Sequence, residues 1–518
     1  MLHLNRPPGV PNEIPLILRI ARVATIAASI AALIVILAQS GAILGYPFDW
    51  GPDEGLPHDF AERLRHDPAS LYPEGRVPFP EVYGPLLPVL LAGMSEEPSL
   101  AAGRGLAALW TLLGSVAAYR IVRRSAGPLF GLVGALGCLH PFSIMSWSLM
   151  TRSDGLMLSL WLWSGVFLLP RELRRGVDRL DSRRLFLGGL LLFLSCLSKI
   201  TGIFHGLPLV LVWVLVDFRS FTRLAGLLGG LGALWVGSMQ TLTHGSYVHV
   251  LTSWTQHGHS IEQARQILGF SVTSGASGLL TLTITVLLAG TTRVPVHRAP
   301  AWILVAGGLV VVPLLTKYGA AFNYTLPLLA GIGVLIAQAA ARLAPRRPAA
   351  AAVIIAATAG SFLVAPQPRI PTAEDRRTAD FFYSQTRGIN PNLPILALTP
   401  DWLYVVRGQP VEIEGSSLAP AAALGSPEAR TILARLQQAR YGLVVLVPEF
   451  WPKGAEYRMA LTLNYRLWGA CRLGFFNGTG YAQMIFVPKG LNVPFNPPVG
   501  TRCAADPSSL PPPVYYFD

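Results

Sequence analysis

The 518-residue chain is too apolar for an ordinary soluble protein, because hydrophobic residues make up 52% of it and charged residues only 13%. Its net charge of +13 does not indicate nucleic-acid binding, since the arginines gather between apolar runs, in every second gap. This placement is typical of cytoplasmic loops and predicts a polytopic helical membrane protein.

Eleven apolar runs are long enough, or nearly so, to cross a bilayer as helices. With the N-terminus in the cytoplasm, eleven crossings put the arginine clusters inside and the C-terminus outside. A cleavable signal peptide is not predicted, because the first run is too long for an h-region. The predicted spans are 16–40, 100–121, 126–147, 155–170, 185–198, 203–217, 224–242, 277–291, 301–316, 324–341 and 349–366.

The first predicted outer loop, 41–99, is unusually acidic. It contains ten carboxylates and three arginines, and five of the acids lie in YPFDWGPDEGLPHDFAE at 46–62. A carboxylate just outside a span can act as a general base or hold a divalent cation, and the alternative is a solvated loop. Later in the loop, PEVYGPLLPVLLAG (80–93) is short and proline-rich, which predicts an interfacial or re-entrant helix.

The chain changes character after the last predicted span, so we divide it into 1–366 and 367–518. PQPRIPTAEDRR (366–377) is typical of a linker. Beyond it, ILAL (395–398), LVVLVP (443–448) and YAQMIFVPKG (481–490) predict strands, and 426–440 predicts a helix. We therefore expect a small extracytoplasmic α/β domain with a proline-rich tail. Outside the cytoplasm Cys471 and Cys503 could pair, but their spacing alone does not establish that they do.

Three motifs of the outer loop occur in a recognisable order: DWGPDEG (49–55), FAERL (60–64) and YGPLLP (83–88). They resemble the first outer loop of the GT-C superfamily of membrane glycosyltransferases, which use polyprenyl-phosphate-linked sugars. Its members include the protein O-mannosyltransferases and the aminoarabinose transferases of lipid A. In the mannosyltransferase branch an adjacent Asp-Glu pair follows the first span. The resemblance implies that Asp53 is the catalytic base, that Glu54 assists it, and that Tyr83 belongs to the supporting Y-x-P-L element.

Two further motifs agree with the resemblance. TRSDG (151–155) brings Arg152 and Asp154 to the outer end of a span, where an ion is costly unless it is paired or functional. The alternative is an Arg152–Asp154 salt bridge that only fixes the turn. LSKITG (197–202) brings Lys199 to the same side, where its ammonium suits a lipid phosphate. The alternative for Lys199 is snorkelling to the interface.

KYGAAFNYTLP (317–327) resembles a further element of the superfamily, with Asn323 and Tyr324 in register. The resemblance implies that Lys317 and Tyr324 lie near the donor phosphate and that Asn323 supports them. The alternative is an interfacial lysine and tyrosine that anchor the helix.

Four histidines in the predicted outer loop around 243–276 suggest a metal site. The His257/His259 pair lacks the i, i+4 spacing of a helical zinc site, so solvated histidines remain the favoured interpretation. The histidines are His244, His249, His257 and His259. The sequence does not identify a cofactor, although the acidic outer loop would allow a divalent cation to assist the donor phosphate.

The resemblance implies a mainly α, GT-C-like helical bundle in a bacterial plasma membrane, with its active site on the periplasmic or extracellular side. It would move a sugar from a polyprenyl-phosphate donor to a hydroxyl of a lipid, glycan or protein acceptor, with inversion. The main alternative is a lipid or sugar transporter or flippase, for which inverted repeats and midplane charges are expected. A third is a non-catalytic protein that binds a glycolipid.

Overall fold

The structure is a computed structural model. It describes residues 16–51, 54–71, 84–139, 149–170, 173, 176, 178–248, 259–273, 301–316, 322–364, 369–399, 401–413, 418–423, 425–448, 451–473 and 482–510.

The larger part of the fold is a bundle of helices. Every predicted span except 277–291, which lies outside the described residues, overlaps one of them. Short 3₁₀ turns at Pro68–Leu71, Val312–Thr316 and Phe322–Thr325 connect them. The helices are α1 Leu16–Leu44, α2 Gly55–His66, α3 Leu86–Met94, α4 Leu100–Ala126, α5 Pro128–Leu139, α6 Ser153–Leu168, α7 Ser182–Ser198, α8 Gly202–Val216, α9 Phe218–Leu242, α10 Ile261–Thr273, α11 Ala301–Leu309, α12 Leu326–Leu343 and α13 Pro348–Val364.

Several helices have the length and the apolar composition needed to cross a bilayer. Within the described residues, Leu16–Leu44, Leu100–Ala126 and Asn323–Leu343 are long and apolar enough to cross one, and five shorter helices are also apolar. Helix α1 exposes large apolar side chains such as Ile20 and Val23, as a lipid-facing helix does. These features are those of an integral membrane protein, and the mainly α class predicted from the sequence is confirmed.

Small residues and indole donors join the helices. A Cβ on Gly333 of α12 would collide with the backbone of Gly137 on α5, so glycine at both positions permits the close approach of the two helices. The fully buried Trp161 donates its indole N–H to the carbonyl of His205, and Trp213 donates to that of Leu168, each at 2.9 Å. These bonds satisfy polar groups inside an otherwise apolar bundle.

The C-terminal region carries a five-stranded mixed sheet of order β1-β2-β4-β3-β5, as the α/β expectation required. Strands β1 and β2 are parallel, and the other pairs are antiparallel. The elements are α14 Ala373–Gly388, β1 Ile395–Ala397, α15 Trp402–Val406, α16 Leu418–Ala423, α17 Pro427–Gln437, β2 Leu443–Leu446, α18 Ala455–Asn464, β3 Tyr465–Arg472, β4 Ala482–Pro488 and β5 Cys503–Ala504.

Two details of this region differ from, or add to, the sequence-based expectation. The predicted linker extends only to Thr372, because a capping box between Thr372 and Asp375 starts α14 at Ala373. Cys471 and Cys503 form a disulfide that joins β3 to β5, which settles a pairing that spacing left open.

The C-terminal region packs on the acidic outer loop. The backbone N–H of Trp402 donates to Asp49 Oδ2 at 3.1 Å, and the Tyr383 hydroxyl donates to the same oxygen at 3.3 Å. The Trp50 indole donates to the carbonyl of Arg369 at 3.2 Å. The sheet region therefore helps to hold the loop that follows α1.

Candidate functional site

Glu54 anchors the acidic loop from inside the protein, where it is fully buried. Its Oε1 accepts hydrogen bonds from Arg104 Nε and the Thr151 backbone N–H, both at 3.0 Å. Its Oε2 accepts from Arg104 Nη2 at 2.8 Å and from the Trp50 N–H at 2.6 Å. A weaker bond comes from the Gly51 N–H at 3.3 Å. Both oxygens face protein donors, so this geometry makes Glu54 an anchor of the loop.

Arg104, on the second turn of α4, completes this anchor. Besides Glu54, its guanidinium bonds the carbonyls of Ile43, Tyr46 and Phe48, which belong to the end of α1 and the start of the loop. Burial alone would raise the pKa of Glu54, but the charge and hydrogen bonds of Arg104 lower it. The pair therefore stays ionised and fixes the loop against α4.

Asp154 is the centre of a second buried cluster at the start of α6. Its Oδ1 accepts from Lys199 Nζ at 2.6 Å and from Asn323 Nδ2 at 3.1 Å, and its Oδ2 accepts from Arg152 Nε at 3.3 Å. Lys199 Nζ also lies 4.6 Å from the centre of the Tyr324 ring, within cation–π range. Residues from the ends of two helices and one 3₁₀ turn thus meet at one carboxylate.

Lys199 is buried, with 1% of its surface exposed, so it does not snorkel to an interface. Tyr324 is also buried, which does not fit a purely interfacial anchor. The Arg152–Asp154 salt bridge, given above as the alternative for these residues, is present, but it is one part of the larger cluster. Among the described residues, Arg152 and Lys199 both bond the single carboxylate of Asp154.

The YGPL element reaches the same place. The Gly84 N–H donates to the carbonyl of Ser198, beside Lys199, at 3.0 Å. A Cβ at position 84 would overlap the Leu197 carbonyl, so only glycine fits there without a shift. The Glu54 anchor adjoins the same cluster, since Thr151, which donates to Glu54, directly precedes Arg152. The acidic loop and the YGPL loop therefore both converge on the Asp154 cluster.

The structure brings together five of the nine residues proposed for the site, and a sixth, Glu54, is bonded to their neighbour Thr151. The five are Arg152, Asp154, Lys199, Asn323 and Tyr324. The remaining three, Asp53, Tyr83 and Lys317, lie outside the described residues.

The other acids near the start of the loop have structural partners. Asp59 pairs with Arg63 at 2.6 Å and accepts from the Val411 N–H at 3.3 Å. Glu62 pairs with Arg65. Burial and the nearby charge of Glu54 raise the pKa of Asp49 well above its ordinary value.

Sequence reasoning missed Arg104 and His205. Arg104 had a readable signal, because it is a lone cation inside a long apolar run. His205, in the first turn of α8, bonds the Gly307 carbonyl through Nδ1 at 2.9 Å, while its buried Nε2 has no hydrogen-bond partner among the described residues. Its signal would have been a histidine inside a predicted span.

A metal centre is not assembled in the described part of the chain, where no three His, Cys, Asp or Glu side chains converge. Of the four loop histidines, His259 bonds the Thr316 hydroxyl at 2.9 Å, and His244 follows α9. His249 and His257 lie outside the described residues. A divalent cation that assists the donor phosphate therefore stays a prediction.

Comparison with known proteins agrees with the motifs. Residues 89–240 match the model of a family described as dolichyl-phosphate-mannose-protein mannosyltransferase. A search of curated proteins found no significant match.

Solved structures share the fold at low sequence identity. ArnT from Cupriavidus metallidurans bound to undecaprenyl phosphate is 13% identical, with a TM-score of 0.54 over 91% of this chain and 99% of that one. The apo structure of the same ArnT is 14% identical, with a TM-score of 0.50 over 90% of this chain and 99% of that one. An oligosaccharyltransferase from Archaeoglobus fulgidus, in complex with Zn and sulfate, is 12% identical, with a TM-score of 0.50 over 86% of this chain and 72% of that one. The resemblance to the GT-C superfamily is thereby confirmed, and these findings together support a membrane glycosyltransferase.

Proposed function

We propose that this chain, which has the GT-C fold, transfers a sugar from a polyprenyl-phosphate donor to a hydroxyl acceptor on a lipid, glycan or protein. The reaction takes place at the outer membrane face, and the membrane is a bacterial plasma membrane. The distribution of arginines between spans and the Cys471–Cys503 disulfide, which suits an oxidising compartment, support this orientation.

The observation that carries the proposal is the buried Lys199 ammonium at the outer end of the bundle. Asp154 fixes its position at 2.6 Å, and Arg152 adds a second cation to the same carboxylate. A fixed ammonium in a dry site is a strong partner for a phosphate oxygen, because little reorganisation is needed when charge develops. The centre of the Tyr324 ring lies 4.6 Å from the ammonium, so a cation–π contact also helps to hold it. Lys317 is proposed as an additional phosphate contact.

The reaction is a single displacement. The acceptor oxygen forms a bond to the anomeric carbon as the bond between that carbon and the phosphate oxygen breaks. The bonding electron pair leaves with polyprenyl phosphate, whose added charge Lys199 and Arg152 neutralise. Attack from the face opposite the phosphate inverts the anomeric centre. Since a phosphate leaving group needs no proton, one general base is enough.

Asp53 is the proposed base that takes the acceptor proton. Its chain neighbour Glu54 is bound to Arg104 and to the Thr151 N–H, next to Arg152 of the cluster. This anchor ties the loop to the phosphate-binding residues, so Glu54 is a positioning residue in the proposed mechanism. General-base assistance of this kind contributes typically about 10²–10⁴-fold to the rate.

The test uses purified full-length protein in nanodiscs with a panel of polyprenyl-phosphate sugars. Mass spectrometry of lipids and glycans from cells with and without the protein identifies the product. Asp53→Asn should lose about 10²–10⁴-fold in turnover and still bind undecaprenyl phosphate, while Glu62→Gln serves as the matched control. Wild-type turnover in Asp53→Asn would overturn the base assignment. Substrate flux across proteoliposomes without a new glycosidic bond would favour the transporter instead.

A further inference from the structure

A charged cavity lies at the opposite end of the bundle from the Asp154 cluster. It has a volume of about 510 Å³ and opens between the last turns of α4 and α6 and the first turn of α7. Five arginines and one aspartate give the cavity its charge: Arg120, Arg123, Arg124, Arg183, Arg184 and Asp181.

Two of these arginines form the fixed wall of the cavity. Arg184 bonds the Phe167 carbonyl at 3.1 Å and pairs with Asp178 at 3.1 Å, while Arg124 donates to the Val166 carbonyl. These bonds satisfy the orphan carbonyls at the end of α6 and hold α4, α6 and α7 together. The shape of the cavity is therefore set without any ligand.

Three other arginines are exposed at the mouth of the cavity, and they make no ion pair with any carboxylate in the described part of the chain. These are Arg120, Arg123 and Arg183. The Arg120 guanidinium lies 5.3 Å from the Trp163 ring and that of Arg123 lies 5.7 Å from the Tyr119 ring, which orients both. The lining is consequently strongly cationic.

Helix stabilisation explains only part of this charge. Arg123 and Arg124 stand in the last turn of α4, where a cation interacts favourably with the helix dipole. Arg183, however, stands in the first turn of α7, where the dipole disfavours a cation. The positive end of α7 adds to the attraction of an anion at this place.

The cavity lies at a membrane boundary. Arg104, which binds the outer loop, and Arg123 are on the same helix, and their separation along α4 is about 29 Å at 1.5 Å per residue. This is close to the hydrocarbon thickness of a bilayer, about 30 Å. Apolar side chains lie one turn into the membrane from the mouth arginines: Val116 beside Arg120, and Phe186 beside Arg183. Both are exposed, by 42% and 52%.

We propose that this cavity binds the phosphodiester headgroup of an anionic phospholipid from the leaflet opposite the sugar-transfer site. The arginines contact the phosphate, while the acyl chains run along the exposed apolar faces that carry Val116 and Phe186. A lipid fits better than a free phosphate, because charge and apolar surface adjoin each other at the membrane boundary. The site is independent of the proposed transferase reaction.

The experiment is native mass spectrometry of the full-length protein in detergent, titrated with phosphatidylglycerol or with phosphatidylcholine of the same acyl chains. We expect a preference for phosphatidylglycerol at one saturable site. Arg120→Gln combined with Arg183→Gln should weaken that binding about 30-fold, at the usual contribution of an arginine near an anionic lipid surface. These exposed residues are chosen because Arg124 and Arg184 hold the backbone together.

The matched control is Arg346→Gln combined with Arg347→Gln, which removes the same charge from exposed positions just after α12. It should change the affinity less than about threefold. Equal losses in the two double variants, or equal binding of both lipids by the wild type, would overturn the proposal. Competition by millimolar inorganic phosphate as strong as that by the lipid would also overturn it, by identifying a small anion as the ligand.

Discussion

Replacing Glu54 by Gln should release the acidic loop from the bundle. The substitution keeps the size of the side chain but removes its charge and turns one acceptor oxygen into an amide donor. If the amide replaces Oε1, the bonds from Arg104 Nε and the Thr151 N–H are lost. If it replaces Oε2, the bonds from Arg104 Nη2, Trp50 and Gly51 are lost.

In either orientation the Arg104 guanidinium, with 2% of the residue exposed, loses its only described carboxylate partner. Removing one member of a buried ion pair typically costs about 3–5 kcal/mol. That cost lowers the free energy of opening for the loop and the start of α4. Amide exchange in residues 46–66 should accelerate between about 10²- and 10⁴-fold, at 1.4 kcal/mol per tenfold.

Hydrogen exchange measured by mass spectrometry on the full-length protein tests this directly. Glu62→Gln is the control, because Glu62 is in the same loop, is partly exposed and pairs with Arg65 at the surface. It should leave exchange nearly unchanged. If Glu54→Gln exchanges like the wild type and loses only transfer activity, Glu54 has a chemical role and the anchoring argument is wrong.

Three further outcomes are expected from the described contacts. Because burial raises the pKa of Asp49, its carboxyl ionises in the unfolded chain near about pH 4 but in the folded protein only at higher pH, so it lowers stability increasingly as the pH rises above about 4. The Tm of Asp49→Asn should therefore rise relative to that of the wild type as the pH is raised from about 4 towards the pKa of folded Asp49, and a Tm difference that does not change with pH would refute this. Gly84→Ala should cost about 1–3 kcal/mol through overlap with a backbone carbonyl, whereas Gly93→Ala, with open space around it, should not lower the Tm. Replacing Cys471 and Cys503 together by Ser should cost about 3–4 kcal/mol for a 32-residue separation, and an unchanged Tm would contradict that contribution.

The bundle was predictable because apolar run length alone defines a spanning helix. The C-terminal region was harder to read. Strand β3, YRLWGACR, has arginines and a glycine that break its alternation, and its register shifts between Leu467 and Gly469. The start of helix α14 was not predicted, because the prolines before it indicated a linker. The capping box of Thr372 and Asp375 marks that start.

The candidate site, too, was only partly predictable from the sequence. The motif resemblance selected Arg152, Asp154 and Lys199 individually. It did not show that they meet, because Lys199 is 45 residues away in sequence from Asp154, the carboxylate that it bonds. Such contacts cannot be read from spacing. Nor could the sequence show that Glu54 is buried, since its decisive partner is Arg104, 50 residues later.

The most direct test of the account is the affinity of the purified protein for undecaprenyl phosphate, measured for the wild type, Lys199→Gln and Asn323→Ala. Loss of the Lys199 charge should weaken binding about 10- to 150-fold, the usual worth of a hydrogen bond to a charged group. Asn323→Ala, which removes an uncharged contact to the same carboxylate, should have a much smaller effect. No binding by the wild type, equal losses in both variants, or unchanged affinity in folded Lys199→Gln would contradict a phosphate site built on Lys199.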